Sequence, residues 1–224
     1  MKRINPFLTS NHCIAHRLNL ASEDASKNIP YFIHYKNIVK SIYSFFSNSY
    51  KWMYELKQIK EDQDLPDLTI LNLCDTRWLS WSNVINNFHQ IIDAIQIALQ
   101  NESNNPGHSE FVDFLCDSID AEFLIVTKFL ADIFFILKKM ILVFQSDYVS
   151  LSETRNQVLM VVNAINSNFI GTEENPPTYG IHLARLMDDL NLLPEDLPGM
   201  FFTFLYLENK FGFIYNFCKS LLIN

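Results

Sequence analysis

Cys13 and His16 place a thiol and an imidazole three residues apart, and His12 lies one helical turn before His16. That spacing suits the first half of a zinc site, since thiolate and neutral imidazole are preferred zinc ligands. A closed structural site needs four ligands, normally as two such pairs. Cys74, Cys116 and Cys218 have neither a neighbouring histidine nor a second cysteine. Metal is therefore not expected. Cys13 and His16 read more simply as a structural motif, the imidazole satisfied by hydrogen bonds and the thiol packed in the core. The second constellation is Asp75-Thr76-Arg77-Trp78-Leu79-Ser80. A guanidinium at Arg77 can bind phosphate, and an indole at Trp78 can stack on an unpaired base. The competing reading anchors a helix in the core through Trp78 and Trp81, with Asp75 or Thr76 as its N-cap.

Other catalytic patterns are missing. The chain has no GxGxxG, no GxxxxGK followed by Ser or Thr, no GxSxG and no HExxH. The carboxylate pairs Asp188-Asp189 and Glu173-Glu174 are adjacent, so on a helix they diverge instead of converging. No cofactor and no small-molecule substrate is expected.

The elements that would carry these residues are mostly helical. The chain has 224 residues, 49% hydrophobic, with 19 phenylalanines and only 5 glycines, enough for one sizeable core or two small ones. The cysteines lack framework spacing, and no secretory segment opens the chain, which points to a reduced intracellular compartment. The most apolar stretches, 123–144 and 200–223, are interrupted by Lys128, Asp132, Lys138, Lys139, Glu208, Lys210 and Lys219. A bilayer span needs about 20 predominantly apolar residues and tolerates central charge poorly, so membrane insertion is not expected.

The net charge of −8 hides an asymmetry. Residues 1–60 hold nine Lys/Arg against three Asp/Glu, and the remainder eight against twenty-two. The basic third, with Arg17, Lys36 and Lys40, offers contacts to phosphate, while the acidic remainder argues against continuous nucleic-acid contact. A solvated lysine face is the alternative.

Along the chain, a first helix is expected from about His12 or Ala15 to the Asn28-Ile29-Pro30 boundary. From Tyr31 to about Glu61 the spacing of Ile38, Ile42, Phe45, Trp52, Leu56 and Ile59 predicts one long helix. An acidic linker with Pro66 follows, and residues 68–73 (LTILNL) are either a short strand or a buried extended run. Trp81, Val84, Ile85, Phe88, Ile91, Ile92, Ile95 and Leu99 mark the cleanest amphipathic helix. Residues 101–108 read as a loop. Further helices are expected over 110–145, broken near Ser118, and over 151–168, 178–191 and 199–221, with turns at 171–177 and 193–199.

The segment His12-Cys13-Ile14-Ala15-His16-Arg17-Leu18-Asn19-Leu20-Ala21, followed by Asp75-Thr76-Arg77-Trp78, resembles the hAT superfamily of cut-and-paste transposases and host proteins derived from them. The stretch from Phe129-Leu130-Ala131-Asp132 through Val143-Phe144-Gln145-Ser146 resembles the helical insertion domain of domesticated relatives. The likeness covers roughly residues 1–165. It implies a mainly α chain: a remnant of an RNase-H-like core over 1–79, with at most one or two short strands, and an insertion-type helical domain over 80–224. In that family two aspartates and a glutamate hold divalent metal, and both aspartates precede the Cys-x-x-His motif. Here residues 1–12 contain no acid, and the first 60 residues offer only Glu23, Asp24 and Glu55. The resemblance implies that the family's catalytic glutamate and dimerisation segment would lie beyond Asn224.

Three functions stay open. The resemblance implies a non-catalytic, transposase-derived domain in the nucleus that binds nucleic acid or scaffolds other chains, itself included, with Arg17, Lys36, Lys40, Arg77 and Trp78 as candidate DNA contacts. The acidic, aromatic-rich helices after residue 100 favour a protein-interaction module or decaying fragment without DNA contact. An active transposase would need carboxylates that this chain does not supply.

Overall fold

Proline at the first helical position has its φ already set and lacks the N–H that would be unsatisfied there. Pro30 occupies that position in α1 (Pro30–Ser47), the first element of the computed structural model, which describes residues 30–73, 78–144, 150–172 and 174–193. There follow α2 (Tyr50–Asp62), α3 (Trp78–Ser103), α4 (Glu110–Ser118), α5 (Ala121–Phe144), α6 (Leu151–Ile165) and α7 (Ile181–Leu190). A single π-helical turn, Asn166–Ile170, extends α6. The protein is mainly helical, and the described residues include no strand.

The single helix expected from Tyr31 to Glu61 is two. It breaks at Asn48-Ser49, where Ser49 is extended (φ −139°, ψ 120°) and precedes α2. Short polar side chains compete with the backbone here. The Asn48 amide donates to Ser44 Oγ at 3.2 Å, and Ser47 Oγ donates to the Ser44 carbonyl at 3.4 Å. The apolar stripe survives the break, and Phe45 stacks on Trp52 across it with ring centroids 3.9 Å apart.

The expected stripe of α3 is buried throughout: Trp81, Val84, Ile85, Phe88, Ile91, Ile92, Ile95 and Leu99 are each at most 4% exposed. α3 packs on α2, α4 and α5, and α5 packs in turn on α6 and α7. From α1, Phe32 stacks on Trp81 (5.1 Å) and Tyr35 on Phe123 of α5 (4.7 Å). The buried Tyr35 hydroxyl lies 3.0 Å from Thr127 Oγ1, which itself donates to the Phe123 carbonyl at 2.8 Å. Tyr35 is therefore the donor of the pair. Its burial raises the phenol pKa.

Residues 68–73 have no regular secondary structure and pair with no strand. Their carbonyls are met by side chains from the flanking helices. Lys60 Nζ donates to Leu68 O at 2.7 Å, and Asn87 Nδ2 donates to Thr69 O at 3.1 Å. Leu73 is buried, and Leu68, Ile70 and Leu71 pack against the core. The expected break near Ser118 is present, and Asp120 Oδ1 accepts the Phe123 N–H at 2.8 Å to start α5. Gly171 (φ +63°) ends the π-helical turn with Pro177 so close that a Cβ would meet its ring at 2.6 Å. Among the described residues no helix is long and apolar enough to cross a membrane. The expected helices at 12–29 and 199–221 lie outside the described residues.

Candidate functional site

Of the residues singled out by the sequence, Cys13, His16, Arg17 and Arg77 lie outside the described residues, and Trp78 is described only as the first residue of α3. Lys36 and Lys40 are both half-buried on α1. Lys36 Nζ lies 5.2 Å from the centroid of the Trp81 ring, within cation–π range, and Lys40 is likewise engaged. The lysines of α2 are also held within the protein. Lys51 binds Glu102 at 2.8 Å, Lys57 faces Glu61 at 3.6 Å, and the buried Lys60 binds Asp67 at 2.8 Å. Among the described residues, three of these lysines face carboxylates of the same chain and one an indole ring, although Lys51 and Lys57 stay more than half exposed. Among the described residues no group of three or more His, Cys, Asp or Glu side chains is placed to hold a metal ion.

The densest chemistry lies in a seam of α3, α5 and α7 that sequence reading did not identify as a site. Helical spacing of four puts Lys128 and Asp132 on one face of α5. Lys128 Nζ donates to the His89 carbonyl on α3 at 2.8 Å. Asp132, 5% exposed, faces the start of α7. Its Oδ1 accepts from the backbone N–H groups of Ile181 and His182, both at 3.1 Å. Its Oδ2 accepts from His182 at 3.1 Å and Leu183 at 2.9 Å. A helix N-terminus presents unsatisfied N–H groups and a partial positive charge, and a carboxylate answers both. Gly180, at φ +76° and ψ 177°, makes the approach possible.

The electrostatics follow from burial. Asp132 is pushed above its usual pKa by desolvation, opposed by the three backbone donors. His89, 7% exposed, has its ring centroid 4.4 Å from that of His182. Burial, reinforced by His182 and Lys128, lowers its pKa to about 4, so the imidazole is neutral near pH 7. Desolvation also lowers the pKa of Lys128, against the pull of Asp93, Asp132 and Asp189. This arrangement anchors a helix. Both oxygens of Asp132 are occupied by backbone donors, which leaves the carboxylate poorly placed to act as a base.

A second group superficially resembles a hydrolase relay. Ser103 Oγ donates to Asp113 Oδ1 at 2.8 Å, and His108 Nε2 lies 2.8 Å from Asp113 Oδ2. The carboxylate stands between serine and histidine, whereas nucleophile activation needs the imidazole in the middle. His108 Nδ1 contacts the Asn105 carbonyl at 3.0 Å, and that bond and Asp113 raise the histidine pKa. With an acceptor at each ring nitrogen, the imidazolium is favoured, and it closes the 104–109 turn onto α4.

Asp132 left two traces in the sequence: an acid in the middle of the most apolar helix, and a glycine directly before a later helix. Nothing in local spacing links Asp132 to the Ile181 N–H, 49 residues away. No family model, curated protein or solved structure matches this chain.

Proposed function

We propose that the chain is a non-catalytic, hAT-transposase-derived helical domain, with a remnant of an RNase-H-like core, that serves in the nucleus as a scaffold for other proteins. The observation that carries this reading is how the charged groups are used. Lys51, Lys57, Lys60, His108 and Asp132 all satisfy partners within the fold, while Tyr50, Phe111, Phe114 and Met160 stand exposed. Exposed aromatic rings beside lysines already paired with carboxylates suit protein contact better than a phosphate backbone.

One sequence feature favours nucleic acid as a second reading: Arg77 adjoins Trp78 in the chain, and a guanidinium and an indole suit phosphate and an unpaired base. An anisotropy titration with duplex and hairpin DNA at low and moderate salt separates the two. The scaffold reading expects weak binding that Arg77→Ala does not change. Salt-dependent binding lost in Arg77→Ala would replace it with the DNA reading. Magnesium- or manganese-dependent cleavage of the DNA would overturn both.

A further inference from the structure

α4 turns Val112 and Leu115 into the core and leaves Glu110, Phe111, Phe114 and Asp117 exposed. Phe111 and Phe114 are 43% and 47% exposed, and their rings stack with centroids 6.1 Å apart and planes 20° apart. The pair has a firm backing. The Phe111 ring lies 6.5 Å from Phe45, which is itself buried and stacked on Trp52. α4 is further held by its packing on α1 and α3. These rings are therefore presented from a fixed surface.

Along α4 and the turn that follows it, the ionised side chains are all acidic. Residues 109–122 contain Glu110, Asp113, Asp117, Asp120 and Glu122 and no lysine or arginine. Asp113 is partly committed to Ser103 and His108, whereas Glu110 and Asp117 are exposed beside the rings. The field reaches neighbouring groups. Burial raises the Cys116 thiol pKa, and Asp113 and Asp117 raise it further.

We propose that the exposed face of α4 docks a basic polypeptide segment of a partner protein, with an arginine or lysine over the Phe111–Phe114 pair and neighbouring basic residues bound to Glu110 and Asp117. An aromatic face attracts a cation through its quadrupole, and arginine adds planar stacking and a bidentate match to carboxylate. The exposed carboxylates of Glu110 and Asp117 repel phosphate, which disfavours both nucleic acid and an anionic membrane as the occupant. This assignment rests on the scaffold reading and names the chemistry of its partner.

The test uses the full chain and a fluorescein-labelled model peptide of alternating arginine and leucine, read by anisotropy. Phe111→Ser with Phe114→Ser should weaken binding about tenfold, the combined effect expected of two partly exposed cation–π contacts. Glu110→Gln with Asp117→Asn should weaken it to a similar degree and flatten its salt dependence. Tyr50→Ser, at a more exposed ring on α2, should leave it unchanged. Phe111→Ser with Phe114→Ser should lower the melting temperature slightly, through lost packing on Phe45, while every variant stays folded at the titration temperature.

No binding by the wild-type chain would overturn the assignment. So would loss confined to the charge variants, which would mark nonspecific attraction to a chain of net charge −8. A dimer in light scattering that Phe111→Ser with Phe114→Ser converts to monomer would assign the face to a second copy instead. Hairpin DNA is titrated in parallel. Arg77-dependent DNA binding would remove the scaffold reading whatever happens at α4, whereas failure of the peptide alone removes only the α4 assignment.

Discussion

The Asp132 carboxylate occupies the space into which a side chain at position 180 would have to grow: a Cβ on Gly180 would lie 2.6 Å from its Cγ and Oδ2. Gly180 also holds φ +76° with ψ 177°, a region that residues with a Cβ essentially avoid. Gly180→Ala should thus carry both a backbone cost and a clash, for a loss of about 2–4 kcal/mol in urea denaturation. Gly107→Ala, where φ is +85° but the space is open, should cost less. Equal losses would show that the contact with Asp132 contributes nothing.

Asp132→Asn keeps one carbonyl acceptor and replaces the other oxygen with an NH2 group, which cannot accept the N–H groups of α7. A buried donor left unpaired costs about 1–3 kcal/mol, and the effect should fall on α7. Hydrogen exchange at Ile181, His182 and Leu183 should accelerate well beyond that in α3. Uniform acceleration across the fold would mean that Asp132 supports the whole core and does not specifically secure this helix.

The buried His89 gives stability a definite pH dependence. Its folded pKa, about 4, lies below the ordinary histidine value of 6.5, so the unfolded chain takes up the proton first. Its contribution is therefore complete above pH 6.5 and is lost as pH falls toward 4, about 2 kcal/mol between pH 7 and 4.5. Asp132, whose pKa is raised, contributes with the opposite sign, so the informative comparison is the wild type against His89→Gln. The variant should lose less stability than the wild type over that interval. Parallel curves would refute the assignment.

At the Tyr35–Thr127 contact the two partners are unequal. Tyr35→Phe deletes the donor and leaves Thr127 still bonded to the Phe123 carbonyl, at a cost of about 1 kcal/mol. Thr127→Val strands a buried hydroxyl on Tyr35 and should cost more, up to about 3 kcal/mol. The reverse order in thermal or urea melts would contradict the donor assignment.

These residues show what the sequence made legible. The α3 stripe could be read because eight apolar positions recur at helical spacing and one buried face accounts for all of them. The break at Asn48-Ser49 escaped notice because the apolar period passes through it, and the local competition of Ser44, Ser47 and Asn48 carries no periodic signal. Residues 68–73 stayed ambiguous because an unpaired run and a strand differ in their hydrogen-bond partners, here the side chains of Lys60 and Asn87. Of the candidate site, Lys36 and Lys40 lie half-buried on α1, and charge counting could not foresee this or that the neighbouring lysines of α2 would face carboxylates of the same chain. The Asp132 seam is a long-range contact and was beyond local pattern reading.

Tyr35 and Phe32 lie in the first 79 residues, yet their rings and hydroxyl are seated on Trp81, Phe123 and Thr127 from the remainder. A recombination event that joined a foreign segment at residue 79 would have to reproduce this shape and this one hydroxyl donor together. The two stretches are therefore energetically coupled, and substitutions at Tyr35 and Thr127 should be tolerated jointly more readily than singly.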